Sequence, residues 1–285
     1  MGLMQKIRHT DEIHSLYGAD NIGPAHLGRE YMDKILCKEL SEDFETVELF
    51  PLADLHIGDI LTRIDEFDTF SKMILKEPNR YIIINGDIFN NNLKNSLGSV
   101  YEDIIPPSQQ RKEGKKRLLP LKDRILCVNS GNHEGRTKKE ADVDISEDLA
   151  DYLGVPYNED ETLMKLTFGK KYNQKRQSYS IYATHGRCGG RRPGNKVNNM
   201  EMYSMNILAD VYIFAHGHTK LGYKPVFRVP DLYNNVIREI EQLFVMSGAW
   251  QSYGGYGKRG GYRPQSRGSF PIILHGKNKL AEARI

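Results

Sequence analysis

Cysteine is scarce in this sequence. Cys37, Cys127 and Cys188 are the only three, an odd number, and none lies in a Cys-x-x-Cys pair. That excludes a disulfide-stapled scaffold and a thiolate zinc site, and a reducing cytoplasm is the expected compartment. Long apolar runs are missing as well. No stretch approaches the roughly 20 apolar residues that span a bilayer, so no membrane partner is expected. Lys6, Arg8, His9, Asp11 and Glu12 have no apolar run behind them, unlike a secretory leader. Lys6 also stands where myristoylation of Gly2 would want Ser or Thr. Nor is there a large excess of charge of one sign. The formal net charge is +3, which by itself says nothing about nucleic acid; the placing of the charge matters more.

What is present is ordinary for a soluble globular chain: 285 residues, 39% hydrophobic and 27% charged. That length suffices for one large domain or two small ones with a substantial core. Residues 1–43 read as an N-terminal helical extension. Leu27, Tyr31, Ile35, Leu36 and Leu40 fall at helical spacing, predicting an amphipathic helix over 27–40. It reads as a helix packed on the main domain, or as an imperfect helix-turn-helix. From residue 44 to 285 short apolar runs alternate with helical patterns. The runs are 47–52, 81–84, 125–128, 179–183, 211–215 and 243–246, and several are continuous, as in strands buried on both faces. Helices are expected over 64–75, 145–153 and 197–208. The class is α/β.

The informative residues follow the runs. Asp54-Leu55-His56, Asn85-Gly86-Asp87, Gly131-Asn132-His133-Glu134, Thr184-His185-Gly186 and His216-Gly217-His218 each stand at the end of a predicted strand. In open α/β sheets that edge is where ligands bind. Five of the nine histidines fall there. Histidine and aspartate together suit borderline divalent ions such as Mn²⁺, Fe²⁺ and Zn²⁺. Asp54 and His56, two apart on an extended segment, are expected to project to one face, as are His216 and His218. Gly217 leaves the metals uncrowded, and Gly86 and Gly131 allow sharp turns. Any one element could arise by chance; five in order, each on a strand end, argue for a metal centre.

Together these elements resemble the calcineurin-like metallophosphoesterase superfamily, in the family's order from residue 44 to about 220. The resemblance implies a four-layer α/β/β/α sandwich of two mixed sheets, with 44–285 as the catalytic domain. It implies two divalent ions per chain, Mn²⁺ first, with Fe, Zn, Ni or Co as alternatives. By the same resemblance Asp54, His56, Asp87 and His218 hold one ion, and Asp87, Asn132, His185 and His216 the other, with Asp87 bridging. His133 is then not a ligand but lies beside the scissile phosphate, where it can protonate the leaving group; Asn132 lies close to the same phosphate. A hydroxide bridging the two ions is the nucleophile. Glu134 reads either as a support behind the ligands or as a solvated helix start. Asn90 reads either as a polar contact near the site or as a turn cap. The motif runs Gly86-Asp87-Ile88-Phe89-Asn90-Asn91, so the Asp-Arg pair of the protein Ser/Thr phosphatase branch is absent.

Two Gly-rich basic loops bear on substrate. Residues 186–196 carry Arg187, Arg191 and Arg192, and Arg187 and Arg191 are expected to bind phosphate. Residues 253–268 interleave Tyr253, Tyr256 and Tyr262 with Lys258, Arg259, Arg263 and Arg267, either a nucleic-acid surface or a solvated loop. The cations of 111–117 read as a solvated hairpin or loop. The expected function is hydrolysis of a phosphodiester, in DNA, RNA or a nucleotide. The alternatives are a small-molecule phosphomonoesterase and a non-catalytic scaffold. Scaffold members lose ligands or the phosphate-side histidine, and this sequence keeps them all. The sequence does not give an oligomeric state.

Overall fold

The apolar runs of the sequence become the inner strands of two six-stranded sheets. In the computed structural model the described residues are 34–285 apart from 97, 99 and 172. The first sheet holds β2 (Thr46–Leu52), β3 (Arg80–Asn85), β4 (Ile125–Asn129), β5 (Tyr157–Asn158), β13 (Ile272–His275) and β14 (Ala281–Ala283). Its order is β14-β13-β2-β3-β4-β5, with β2 to β5 parallel and β13 antiparallel to β2. The second holds β1 (Leu36–Glu39), β6 (Glu161–Phe168), β7 (Gln177–Thr184), β8 (Val211–Phe214), β9 (Leu221–Tyr223) and β12 (Leu243–Met246), in the order β1-β6-β7-β8-β12-β9. A separate antiparallel hairpin pairs β10 (Val226–Asp231) with β11 (Val236–Glu241).

The layers follow from which face each side chain takes. Val47, Leu49, Ile83 and Cys127 of the first sheet meet Met164, Leu166, Ile181, Val211 and Val245 of the second in an apolar layer between the sheets. On the other face of the first sheet pack α1 (Ile64–Lys76) and α4 (Ile145–Leu153), through Phe67, Phe70, Ile74, Leu149 and Leu153. On the far face of the second sheet packs α5 (Pro193–Ser204), through Met200. This is the expected α/β/β/α sandwich. Each fully buried aliphatic side chain in these layers stabilises by about 1.5–3 kcal/mol.

Local signals set the helix ends. The α4 helix starts where the Asp144 carboxylate accepts from the backbone N–H groups of Ser146 and Glu147. Acidic Asp65 and Glu66 in the first turn of α1, with Lys76 in its last, suit the helix dipole.

Three expectations are corrected. Of the helix predicted over 27–40, residues 27–33 lie outside the described residues, and Leu36–Glu39 is a strand, not a helix. It pairs in parallel with β6, so ladder hydrogen bonds outweigh a helical spacing that few residues support. The cations of 111–117 lie in α2 (Pro107–Leu118), a helix whose buried side is only Gln110, Gly114 and Leu118 and so shows no apolar stripe. The basic loop of 186–196 ends early, because Pro193 opens α5 with its ring already at helical φ. A further helix, α3 (Glu134–Ala141), follows β4 directly, and a short one, α6 (Gly255–Arg259), lies within the second basic loop.

Candidate metal centre

Two polar side chains between the sheets fix where the site can form. Asn85 Nδ2, at the end of β3, donates to the carbonyls of Thr184 (2.6 Å) and Ile213 (3.3 Å) in the other sheet. Asn129 Nδ2, at the end of β4, donates to Asn85 Oδ1 (2.9 Å) and to the Ala183 carbonyl (3.0 Å). Both asparagines are fully buried, so the low dielectric makes this bridge costly to break. It holds the carboxyl ends of both sheets at one spacing, and residues leaving either sheet converge there.

They converge as three groups whose donor atoms lie within 4.8 Å of one another: Asp54, His56 and His218; His56, Asp87 and His133; and Asp87, His185 and His216. His218 Nε2 lies 3.2 Å from Asp54 Oδ1 and 3.3 Å from His56 Nε2. His185 Nε2 lies 3.2 Å from Asp87 Oδ2, and Asn132 Oδ1 lies 3.1 Å from His185 Nε2 and 2.8 Å from His216 Nδ1. Two ligands each about 2.1 Å from one ion lie roughly 3–3.4 Å apart, so this spacing suits shared cations. Two buried atoms, Asp54 Oδ1 and His56 Nδ1, have no hydrogen-bond partner. The Asp54 oxygen therefore points at imidazole nitrogens with nothing else to satisfy it, as expected of a ligand rather than a structural carboxylate. Nitrogen and oxygen donors without sulfur fit a borderline divalent ion.

The backbone around these groups is strained. Asp54, His56, Asp87, His216 and His218 all have positive φ, between 49° and 64°. Asp54 and His56 are thus not two residues of an extended segment. Each turns through the left-handed region, and the turn, not strand alternation, aims both inward. Such residues cost about 1–3 kcal/mol each and gather where function demands a conformation. Close packing also explains two glycines. At Gly131 a Cβ would lie 2.3 Å from Asp87 N and Asp87 Oδ1. At Gly217 it would lie 2.3 Å from Met246 Sδ, so packing on Met246, not room beside the metals, requires glycine there.

The charges reinforce one another. Burial works against ionising Asp87, but His185 and His133 outweigh it and hold the carboxyl well below the usual range. Burial likewise opposes the charge on His185, yet Asp87 raises it to about 10. His133 is shifted down, chiefly by burial. Its Nδ1 lies 2.6 Å from the Asn90 carbonyl, which fixes that nitrogen as the donor. Its Nε2 is left facing Asp87 Oδ2 at 3.9 Å. The Asn90 side chain instead donates to Asp103 Oδ1 at 2.6 Å, tying down the loop after Asp87.

Glu134 is buried, not solvated. Its carboxylate accepts from the N–H groups of Asp87 (2.9 Å), Phe89 (2.9 Å) and Gly131 (3.1 Å), binding the β3 and β4 loops together. Replacing it with Ala leaves three buried N–H groups unsatisfied. At roughly 1–3 kcal/mol for a group left unpaired, partly relieved by water, Glu134→Ala is expected to cost about 2–4 kcal/mol. Denaturant unfolding of the metal-free protein measures this, and an unchanged midpoint would mean the carboxylate supports nothing. Lys196 is nearly fully buried, and its Nζ donates to the Gly217 carbonyl at 2.7 Å and to Thr219 Oγ1. It holds the turn between His216 and His218. No local pattern marks it, because its partners lie 21 and 23 residues further along the chain.

The groups open into a cleft of about 470 Å³. Arg191, Tyr253, Tyr262 and Arg263 line it, whereas Arg187 is exposed and does not. Arg267 lines it too, but is held by both carboxylate oxygens of Glu66, and Arg259 is paired with Glu102. Two cations of the second basic loop are thus already paired with carboxylates. Among the described residues no helix is long and apolar enough to cross a membrane.

No curated protein matches in sequence. Among solved structures the chain is similar to a single-mutant form of Vps29 from Entamoeba histolytica (12% identity, 81% of this chain and 87% of that one, TM-score 0.39). It is similar to the calcineurin-like phosphoesterase YfkN from Bacillus subtilis (10%, 84% and 88%, 0.36). It is also similar to nuclease MPE from Pseudomonas putida (12%, 83% and 87%, 0.33). The family model for calcineurin-like phosphoesterases matches residues 54–243, from the first aspartate of the centre to the start of β12. By that match the chain belongs to the calcineurin-like phosphoesterase family, and it is a metal-dependent phosphoesterase.

Proposed function

We propose that the protein hydrolyses phosphodiesters of nucleic acid or nucleotides with two divalent ions, Mn²⁺ in the first place, bridged by Asp87. Asp54, His56 and His218 complete one set of ligands, and Asn132, His185 and His216 the other. The observation that carries the reading is the convergence of these seven side chains at hydrogen-bonding distances, five of them with strained backbone. Divalent ions held there supply an acidified water and offset charge as it develops on the phosphoryl oxygens. The residues of the chain do the rest. His185, an imidazolium beside Asp87 in the metal-free protein, gives up its proton on loading, so metal affinity rises with pH. The Asn90 carbonyl holds His133 so that Nε2 faces the reacting phosphate, and His133 protonates the leaving oxygen from there. The catalytic domain begins not at residue 44 but with β1 at Leu36, which pairs with β6 in the second sheet, and runs to residue 285. The free thiols of Cys37, Cys127 and Cys188 suit a reducing cytoplasm.

The diester reading draws support from the cleft, which runs past the metal groups to Arg191 and Arg263 with Tyr253 and Tyr262 beside them. The pairing of Arg259 and Arg267 favours a shorter occupant, a nucleotide or a few linked nucleotides, over a long duplex. Rates with Mn²⁺ on bis(p-nitrophenyl) phosphate, p-nitrophenyl phosphate, single-stranded DNA, RNA and cyclic nucleotides test both. Diester cleavage is expected to exceed monoester cleavage. Oligonucleotide KM should rise with salt at a log–log slope of about 0.7 per phosphate contact. A monoester rate above every diester rate would reject the reading in favour of a phosphomonoesterase. No hydrolysis of any ester by the metal-loaded protein would leave only the scaffold alternative.

A further inference from the structure

The loop after Asp87 carries no arginine, yet a guanidinium reaches the cleft from another element. Arg136 lies in the first turns of α3, three residues after His133, which places the two on one face of the helix. Both side chains use the same acceptor: the Asn90 carbonyl receives His133 Nδ1 at 2.6 Å and Arg136 Nη1 at 3.1 Å. Arg136 Nη1 also donates to Asn92 Oδ1 at 3.0 Å. The imidazole and the guanidinium therefore stand side by side, and both line the cleft.

The chemistry of this arginine differs from that of its neighbours on the cleft wall. Its hydrogen bonds go to neutral acceptors, a carbonyl and an amide oxygen, whereas Arg267 is spent on Glu66. Both of those bonds leave from Nη1. The opposite edge of the guanidinium, Nε–H with Nη2, remains for another acceptor, and two parallel N–H groups on a plane match two oxygens of a phosphoryl group. Arg136 is also partly buried, so its charge is poorly solvated; Asp87, Glu134 and Asp103 act on it through space, but its hydrogen bonds go to none of them. A half-buried cation without a carboxylate partner is costly unless an anion comes to it.

We propose that Arg136 binds a non-bridging oxygen pair of the substrate phosphoryl group, beside His133 and opposite the metal ligands. This rests on the phosphoesterase reading of the same centre. Asn92 and the Asn90 carbonyl fix one end of the guanidinium, so the fork is set before substrate arrives. A ligand that keeps a free phosphoryl group, including the product, uses the same fork.

The experiment measures binding of inorganic phosphate to the Mn²⁺-loaded protein by calorimetry, beside its inhibition of bis(p-nitrophenyl) phosphate hydrolysis. Wild type is compared with Arg136→Gln and Arg136→Lys. Arg136→Gln is expected to weaken phosphate binding roughly 10- to 100-fold, the scale of a lost charge-assisted pair. Arg136→Lys, which keeps charge without the fork, should recover part of that loss, and metal content should match wild type in both. A purely structural arginine bracing Asn90 and Asn92 would instead lower thermal stability and kcat with phosphate affinity unchanged, and that result overturns the proposal. Should Arg136→Gln fail to fold, equal phosphate affinity in Arg136→Lys and wild type overturns it just as well. If wild type binds phosphate through Arg136 but hydrolyses no ester, the catalytic reading fails while the phosphate site stands.

Discussion

Replacing His133 with Asn is expected to leave the metal content intact while lowering kcat by roughly 10²–10⁴-fold, the scale of a lost general acid. The loss should be larger for an alkyl leaving group, which needs a proton to depart, than for p-nitrophenolate, which does not. The geometry supplies the reason. With Nδ1 committed to the Asn90 carbonyl, a proton sits on Nε2 only in the imidazolium form. Burial shifts His133 downward, whereas the Asp87 carboxylate pulls the other way and the anionic substrate adds to that pull. The proton is therefore available at low pH and is lost as pH rises through the lowered pKa. The advantage of wild type over the His133→Asn variant on alkyl esters should shrink in the same direction. Steady-state rates on a matched pair of diesters, with elemental analysis of each protein, read all of this. Equal losses on both leaving groups would make His133 a phosphate anchor and not an acid. Loss of metal would make it a ligand, which its place within 4.8 Å of His56 and Asp87 donor atoms allows.

The centre was legible in the sequence because each of its pieces is local. Asp54-Leu55-His56 and His216-Gly217-His218 are short motifs bracketed by apolar runs, and β2, β8 and their neighbours form where those runs stand. Helical spacing also sufficed for α4, which spans the 145–153 expected of it. What escaped depends on partners far away in the chain. Arg259 and Arg267 leave the sequence open between a nucleic-acid surface and a solvated loop, because Glu102 and Glu66 lie 157 and 201 residues away. Nothing local marks Asn85 and Asn129 as the bridge between the sheets, because their carbonyl partners come from the second sheet. Residues 36–39 carry a faint helical spacing, and only pairing with β6 makes them a strand. The α2 helix has almost no apolar side to announce it. The left-handed turns at the ligands were hidden for a different reason. Asp and His tolerate positive φ better than most residues, so nothing in their identity marks the strain.

Asp87 is the residue on which the two-ion arrangement depends. It shares one donor-atom group with His56 and another with His185 and His216, and its Oδ1 accepts from the His133 N–H at 2.8 Å. Asp87→Asn keeps the shape, that acceptor and a residue content with φ near 52°, and removes only the negative charge that both cations would share. The fold should survive, but the metal-free variant should melt below wild type, because the buried His185 imidazolium loses its carboxylate partner. Both ions should be weakened, each by at least about 100-fold, since even outer supports of metal ligands cost 10- to 100-fold when removed. The direct measurement is elemental analysis of wild type and Asp87→Asn after loading with Mn²⁺ and gel filtration. Two ions per chain in wild type and fewer than one in the variant is the result expected of a carboxylate-bridged pair. A single ion in wild type, or a variant that keeps both, would contradict it.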